Sequence, residues 1–280
     1  MFTVLNRSSN ALPRSRVTET RIIMTGAAGA IGAATTTMLR QQGAIVVGID
    51  KSLGEGLIQA DVRDPEEVRK AVNTAVTNLG GLDVLINNAG IAAVQDTGAE
   101  PDEGAIATFE INLLGAWRIT AAALPHLLAT HGRVVNVASG LAFANVPFAA
   151  AYCASKRALT AYSDVLRLEY GKDIQVTTVY PGYVKTPIHN AAIHAGLTLN
   201  GITVEESLDD VARTLMDAAI GKPRRDLATT RQGRIDLFLS RHFPMLVDYI
   251  IEHRLRKAMV QGQFSQSDLA KKFVDRLGRN

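Results

Sequence analysis

The chain has 280 residues, 47% of them hydrophobic and 20% charged, which fits one large folded core and excludes a disordered or fibrous protein. Net charge is only +3 and uneven: residues 1–21 hold four Arg and one Glu, residues 22–221 hold 13 basic and 20 acidic side chains, and residues 222–280 hold 13 basic and 6 acidic. The basic character therefore belongs to the two ends. With no aromatic-studded basic stripe, nucleic acid is not an expected partner.

A single cysteine, Cys153, forbids an intramolecular disulfide and fits a reducing, cytoplasmic setting. No apolar run has the length of a transmembrane segment. Residues 1–20 carry Arg7, Arg14 and Arg16 among serines without the apolar stretch of a secretory signal, and read as a flexible leader.

From Arg21 onward, short apolar runs alternate with helical stretches. Arg21–Thr25, Ala44–Ile49, Leu57–Gln59, Val84–Asn87, Arg133–Ala138 and Ile174–Val179 read as buried strands bounded by Gly, Asp or Asn. Ile31–Gln42, Pro65–Asn78, Asp102–Thr130 and Ala151–Tyr170 have helical length and spacing, while Asp50 to Leu57 is too short for a crossover helix. The alternation predicts an α/β fold, a doubly wound parallel sheet in a Rossmann-type three-layer sandwich, over residues 21–221. A substrate loop is expected over about residues 183–203, a helix over Val204–Ile220, and a basic amphipathic extension over residues 222–280. In that extension Val247, Ile251 and Leu255 recur every four residues, giving a helix with an apolar stripe. Arg254, Arg256 and Lys257 leave peripheral contact with an anionic membrane open, but docking on the protein's own body or on a neighbouring subunit is favoured.

The first strand runs into Thr25-Gly26-Ala27-Ala28-Gly29-Ala30-Ile31-Gly32 and then a helix. Glycines there let the backbone turn and approach a pyrophosphate, whose charge helix N-terminal N–H groups can hold. Asp50, at the end of the second strand, can accept both hydroxyls of an adenosine ribose and repel a 2′-phosphate, which favours NAD over NADP despite the neighbouring Lys51. Tyr152 and Lys156 lie four apart, hence on one helical face, where an ammonium would lower the tyrosine's pKa. Ser139 directly follows a strand and could polarise a substrate oxygen.

Residues 21–187 resemble the classical short-chain dehydrogenases/reductases. The turn Thr25–Gly32 is similar to the family's coenzyme motif, with Gly29 one place early and Ala30 where the second glycine is usual. Asp61-Val62 resembles the adenine-contacting element, and Asn87-Asn88-Ala89-Gly90 matches the motif after the fourth strand. Asn112, Ser139, Tyr152 and Lys156 match the catalytic tetrad; Pro181-Gly182, Val184 and Thr186 match the segment that anchors the nicotinamide. The resemblance implies that Gly26, Gly29, Ile31, Gly32, Asp50, Asp61, Val62, Asn88, Ala89, Gly90, Tyr152, Lys156, Pro181, Gly182, Val184 and Thr186 bind coenzyme. It implies that Tyr152 exchanges a proton with substrate, that Lys156 depresses its pKa and binds the nicotinamide ribose, that Ser139 positions the substrate oxygen, and that Asn112 holds a water linking Lys156 to solvent. It requires no metal. It also implies a homodimer or homotetramer, through the helices around Asp102–Thr130 and Ala151–Tyr170.

The expected activity is hydride transfer between NAD(H) and a secondary alcohol or ketone. The apolar loop points to a hydrophobic small-molecule substrate such as a steroid, terpenoid, retinoid or fatty alcohol. An NADPH-dependent carbonyl reductase and a non-catalytic dinucleotide sensor stand as alternatives. His126 with His131, and His189 with His194, are each five apart and share no helical face, so they read as surface or loop histidines rather than metal ligands.

Overall fold

The computed structural model describes residues 18–197, 203 and 205–277. Most of the leader expected over residues 1–20, positions 198–202 of the loop, and Val204 at the expected helix start lie outside the described residues. Strands β1 (Arg21–Thr25), β2 (Ile45–Asp50), β3 (Leu57–Gln59), β4 (Val84–Asn87), β5 (Arg133–Val137), β6 (Gln175–Tyr180) and β7 (Asp226–Ala228) form one sheet in the order β3-β2-β1-β4-β5-β6-β7. Every pairing is parallel. The order reverses between β1 and β4, where an open α/β sheet leaves a crevice beyond its strand ends.

The helices are α1 (Ala30–Gln41), α2 (Pro65–Leu79), α3 (Glu103–Phe109), α4 (Ala116–Thr130), α5 (Ala150–Tyr170), α6 (Asn190–His194), α7 (Leu208–Ile220), α8 (Arg231–His242), α9 (Pro244–Val260) and α10 (Lys271–Leu277). Strand residues alternate between faces. Ile23 and Leu85 join Val72, Ile119 and Leu127 of α2 and α4 in one core. Ile22, Met24 and Ile86 join Leu39, Val211 and Leu215 of α1 and α7 in the other. Both faces are thus covered, which is why β5, Arg-Val-Val-Asn-Val, is buried throughout. Local chemistry sets the element ends: Asp64 caps α2 by accepting from the N–H groups of Glu66 and Glu67, Pro65 opens it, and Gly80 closes it at φ 69°.

Two features depart from the sequence reading. The expected continuous helix Asp102–Thr130 is interrupted by a π-helical turn at Glu110–Gly115. The stretch around it is apolar over more than one face, so the phase shift of one extra residue leaves no mark in the periodicity. β7 comes from the stretch read as extension and extends the sheet beside β6. Its three half-buried residues, Asp-Leu-Ala, are too short for an alternation signal. The 231–277 region is itself folded: Leu255, Ala258, Phe264 and Ala270 are buried with Phe148 and Leu197 in a third core. The helical stripe therefore docks on the protein through Ile251 and Leu255. No described helix is long and apolar enough to cross a membrane.

Candidate active site

The strand ends between β2 and β6 converge on one crevice. Gly26 sits at φ +64°, and a Cβ there would lie 2.8 Å from Ala89 Cα; one on Gly32 would lie 2.1 Å from the Gly26 carbonyl oxygen. Both positions therefore require glycine. Gly29 has φ −70° and directly precedes α1, whose N-terminus lacks a side-chain cap. A Cβ on Gly29 would meet only the Gly26 oxygen, at 3.3 Å. The ground over the helix N-terminus is thus open, as a diphosphate requires. Ala30 opens α1, and the adjoining Ile31 packs against the core containing Met24.

Asp50 ends β2, and its Oδ2 accepts from the Ala28 N–H at 3.0 Å while Oδ1 accepts from Ser52 at 2.9 Å. The carboxylate is held beside the Gly-rich turn with lone pairs to spare, which suits ribose hydroxyls. Asp61 pairs with Arg63 at 2.6 Å. That hydrogen bond, with Lys51 contributing, holds its carboxyl below the usual range. Val62 is buried in the first core. Asn88 donates from Nδ2 to the Thr25 and Gly26 carbonyls, each at 3.1 Å, and the Thr25 hydroxyl accepts from the N–H groups of Asn88 and Ala89. The residues after β4 thereby brace the turn after β1. A Cβ on Gly90 would approach Asn112 Oδ1 to 3.1 Å and Lys156 Nζ to 3.3 Å, so these three positions meet.

Asn112 lies in the π-helical turn and is buried. It accepts from the Ile91 N–H and donates to the Ile91 carbonyl, both at 2.9 Å, and donates to Ser155 Oγ at 3.0 Å. Ser139 follows β5 and accepts from the Leu141 N–H, capping a short 3-10 turn, Gly140–Ala142. Its hydroxyl also hydrogen-bonds Tyr152, which favours the phenolate, yet burial outweighs this and pushes Tyr152 up to about 12. Burial pulls Lys156 down to about 8. Its Nζ donates to the Val137 carbonyl at 2.8 Å and stands 5.8 Å from the centre of the Tyr152 ring. Burial thus outweighs the depression of Tyr152 expected from its spacing to Lys156.

After β6, the Pro181 carbonyl accepts from the Gly140 N–H at 2.8 Å, tying this loop to the one bearing Ser139. Gly182 donates to Glu206 Oε2 at 2.8 Å. Val184 is buried in the second core. Thr186 precedes the 3-10 turn Pro187–His189, and its carbonyl accepts from the His189 N–H at 3.1 Å.

An apolar cavity opens beside Tyr152. Leu141, Phe148 and Ile188 wall it on the sheet side, and Leu255 and Phe264 reach it from the C-terminal region. Sequence reasoning missed several contributors. His189, taken for a loop or surface residue, is half-buried and lines this cavity. Glu206 is buried and bridges Gly182 to the hydroxyls of Thr229 and Thr230. Asn87 donates to Thr120 and Asn136, and Asn136 to Ser163, in a buried ladder behind the site. Of these, the Leu255 stripe and the motif that contains Asn87 left a readable sequence signal.

A glycine cradle at the sheet's switch point, a carboxylate at the end of β2, and a Ser–Tyr–Lys group beside an apolar cavity are the arrangement of a dinucleotide-binding oxidoreductase. Residues 20–195 match the family model described as short chain dehydrogenase, and the chain belongs to the short-chain dehydrogenase/reductase family, whose members bind NAD(P). The chain is 34% identical over 184 residues to 11-beta-hydroxysteroid dehydrogenase-like 3 of Arabidopsis thaliana, a match covering 59% of each chain. It is 30% identical to dehydrogenase/reductase SDR family member 7B of Rattus norvegicus, over 92% of this chain and 87% of that protein. A short chain dehydrogenase from Burkholderia cenocepacia J2315, solved in complex with NADP, shares the fold at TM-score 0.72 and 22% identity, covering 84% of this chain and 98% of that one.

Proposed function

We propose that the chain interconverts a hydrophobic secondary alcohol and its ketone, with NAD(H) as the preferred coenzyme. The observation that carries this reading is Tyr152, hydrogen-bonded to Ser139 and lining a cavity whose other walls are almost wholly apolar. The similarity to 11-beta-hydroxysteroid dehydrogenase-like proteins supports a bulky apolar substrate.

The residues that would hold the coenzyme are Gly26, Gly29, Ile31 and Gly32 at the diphosphate, Asp50, Asp61 and Val62 at the adenosine, and Asn88, Ala89, Gly90, Pro181, Gly182, Val184 and Thr186 toward the nicotinamide. Bound there, a nicotinamide supplies or takes up the hydrogen and electrons that interconvert alcohol and ketone. Tyr152, protonated at neutral pH with a pKa of about 12, gives its proton to the substrate oxygen in the reducing direction. In the oxidising direction it must first lose that proton, and Ser139 together with the cationic Lys156 lowers the cost of doing so. Ser139 orients the substrate oxygen toward Tyr152. Asn112 keeps Lys156 in place by clamping Ile91 beside Gly90. The apolar walls exclude water from the reacting oxygen. The outer faces of α3, α4 and α5 expose Ile106, Trp117, Val165 and Leu168, which supports an oligomer built through those helices.

The test is Tyr152→Phe, which deletes only the transferable proton. Turnover of apolar secondary alcohols should fall at least about a hundredfold while NAD binding is retained. A variant keeping more than about a tenth of the parent kcat, a barrier change under ~1.4 kcal/mol, would disprove the role.

A further inference from the structure

His189 is set apart by its surroundings. Among the described residues, every side chain lining the cavity other than His189 and Tyr152 is apolar. The ring is fixed on two sides: it packs on Tyr183 with centroids 4.8 Å apart, and it hydrogen-bonds the Val184 backbone. That bond favours the protonated ring, so the nitrogen involved donates to the Val184 carbonyl. Burial lowers the ring's pKa, which favours the neutral imidazole. A neutral imidazole that donates from one nitrogen must accept at the other. In an apolar cavity an acceptor without a partner is costly once water has been displaced, so a ligand filling the space is favoured when it brings a donor.

We infer that His189 recognises a hydroxyl group on the substrate remote from the reacting carbon, so that the substrate is an apolar scaffold with two oxygen functions. One is the secondary alcohol or ketone at Tyr152; the other is a hydroxyl whose proton His189 accepts. A distal ketone, ester or ether oxygen is disfavoured, because it would set acceptor against acceptor. This inference rests on the redox reading of the same site and deepens it from a hydrophobic alcohol to an apolar diol or hydroxyketone.

The experiment uses the full chain and three tetracyclic sterane alcohols sharing one reacting carbinol. The first has a distal hydroxyl, the second has hydrogen there, and the third has that hydroxyl methylated. Binding by calorimetry and NAD-dependent turnover are measured side by side. The intact protein should favour the diol about tenfold or more over the other two, chiefly in KM. His189→Phe, which keeps a ring against Tyr183, should bring that ratio close to one, and His189→Gln, which keeps an acceptor, should restore part of it. Equal binding and turnover of all three by the intact protein would overturn the His189 role while leaving the redox reading standing. So would a loss in His189→Phe of the same size for every compound. Preferential binding of the diol that His189→Phe abolishes, without turnover of any compound, would support His189 and count against the redox reading. Failure of all three to bind would overturn the proposed substrate class.

Discussion

Replacing Glu206 with alanine should loosen the loop that follows β6. The Glu206 residue is only 8% exposed, and its carboxylate accepts from the Gly182 N–H at 2.8 Å, from the Thr230 hydroxyl at 3.0 Å, and from the Thr229 hydroxyl. None of these partners is a cation. Hydrogen bonds to a charged acceptor contribute ~1.5–3 kcal/mol each. Against them stands the cost of desolvating a carboxylate, several kcal/mol, which the alanine variant no longer bears. The net loss is therefore well below the gross sum, about 2–3 kcal/mol. In a chain of this size each kcal/mol moves Tm by roughly 2–4 °C, so a fall of about 4–12 °C follows. Glu206→Gln retains an acceptor for Gly182 and should lose about half as much. Because Gly182 belongs to the candidate nicotinamide segment, the alanine variant should also bind NAD more weakly than the glutamine variant. Thermal melts with and without NAD, with a direct titration, measure both effects. An alanine variant that melts within about a degree of the parent and binds NAD equally would refute the bracing role.

Asp50→Ser should raise the ratio of kcat/KM for NADP to that for NAD by about tenfold, since it removes the carboxylate that repels a 2′-phosphate. Comparable values for both coenzymes in the unaltered chain would show that Lys51 and Arg63, gathered around Asp61, cancel that repulsion. Leu255→Ala should cost ~2–4 kcal/mol of stability, because Leu255 is buried in the third core. It should raise KM for apolar alcohols more than it weakens NAD binding, since Leu255 lines the substrate cavity. An equal effect on both ligands would contradict the separation of the two subsites.

The candidate coenzyme half of the site was legible in the sequence because it is built where strands end. Strand β1 announces itself by Ile22–Met24, and the glycines after it are constrained by contacts with their own neighbours, Gly32 against the Gly26 carbonyl. Ser139, Tyr152 and Lys156 could be found for the same reason: a strand end and a helix face are both periodic features. What escaped the reading depends on long-range closure. Glu206 precedes the Ser207 cap of α7 and looks like any acidic residue near a helix start; only the fold brings Gly182 and Thr230 to it. His189 was weighed only by its spacing from His194, which says nothing about the cavity wall it joins. Tyr152's raised pKa escaped because four-residue spacing reports proximity to Lys156 but not the burial that outweighs it.

The substrate half of the site depends on the C-terminal region in a way that Phe148 makes plain. This residue has φ +65°, in the left-handed region that bulky side chains rarely occupy. Such a conformation costs of order 1–3 kcal/mol and persists only when its surroundings fix it. The Phe148 carbonyl accepts from the Gln95 N–H at 2.9 Å, and its ring meets Phe273 of α10 edge-on, with centroids 5.4 Å apart. Leu255 and Phe264 bury the same ring. Phe148 stands four residues before Tyr152, in the short connection from Ser139 to α5, so the backbone that delivers the tyrosine to the cavity passes through the strained residue. Contacts from α9 and α10 thus offset a backbone cost incurred in the cavity wall. The C-terminal helices therefore act as part of that wall rather than as a cover added to a finished site. The glycine cradle and Asp50, held by contacts among β1, β2 and β4, do not draw on them. On the proposed reading, substitutions in α9 and α10 reach the apolar cavity while the glycine turn after β1 and Asp50 stay fixed.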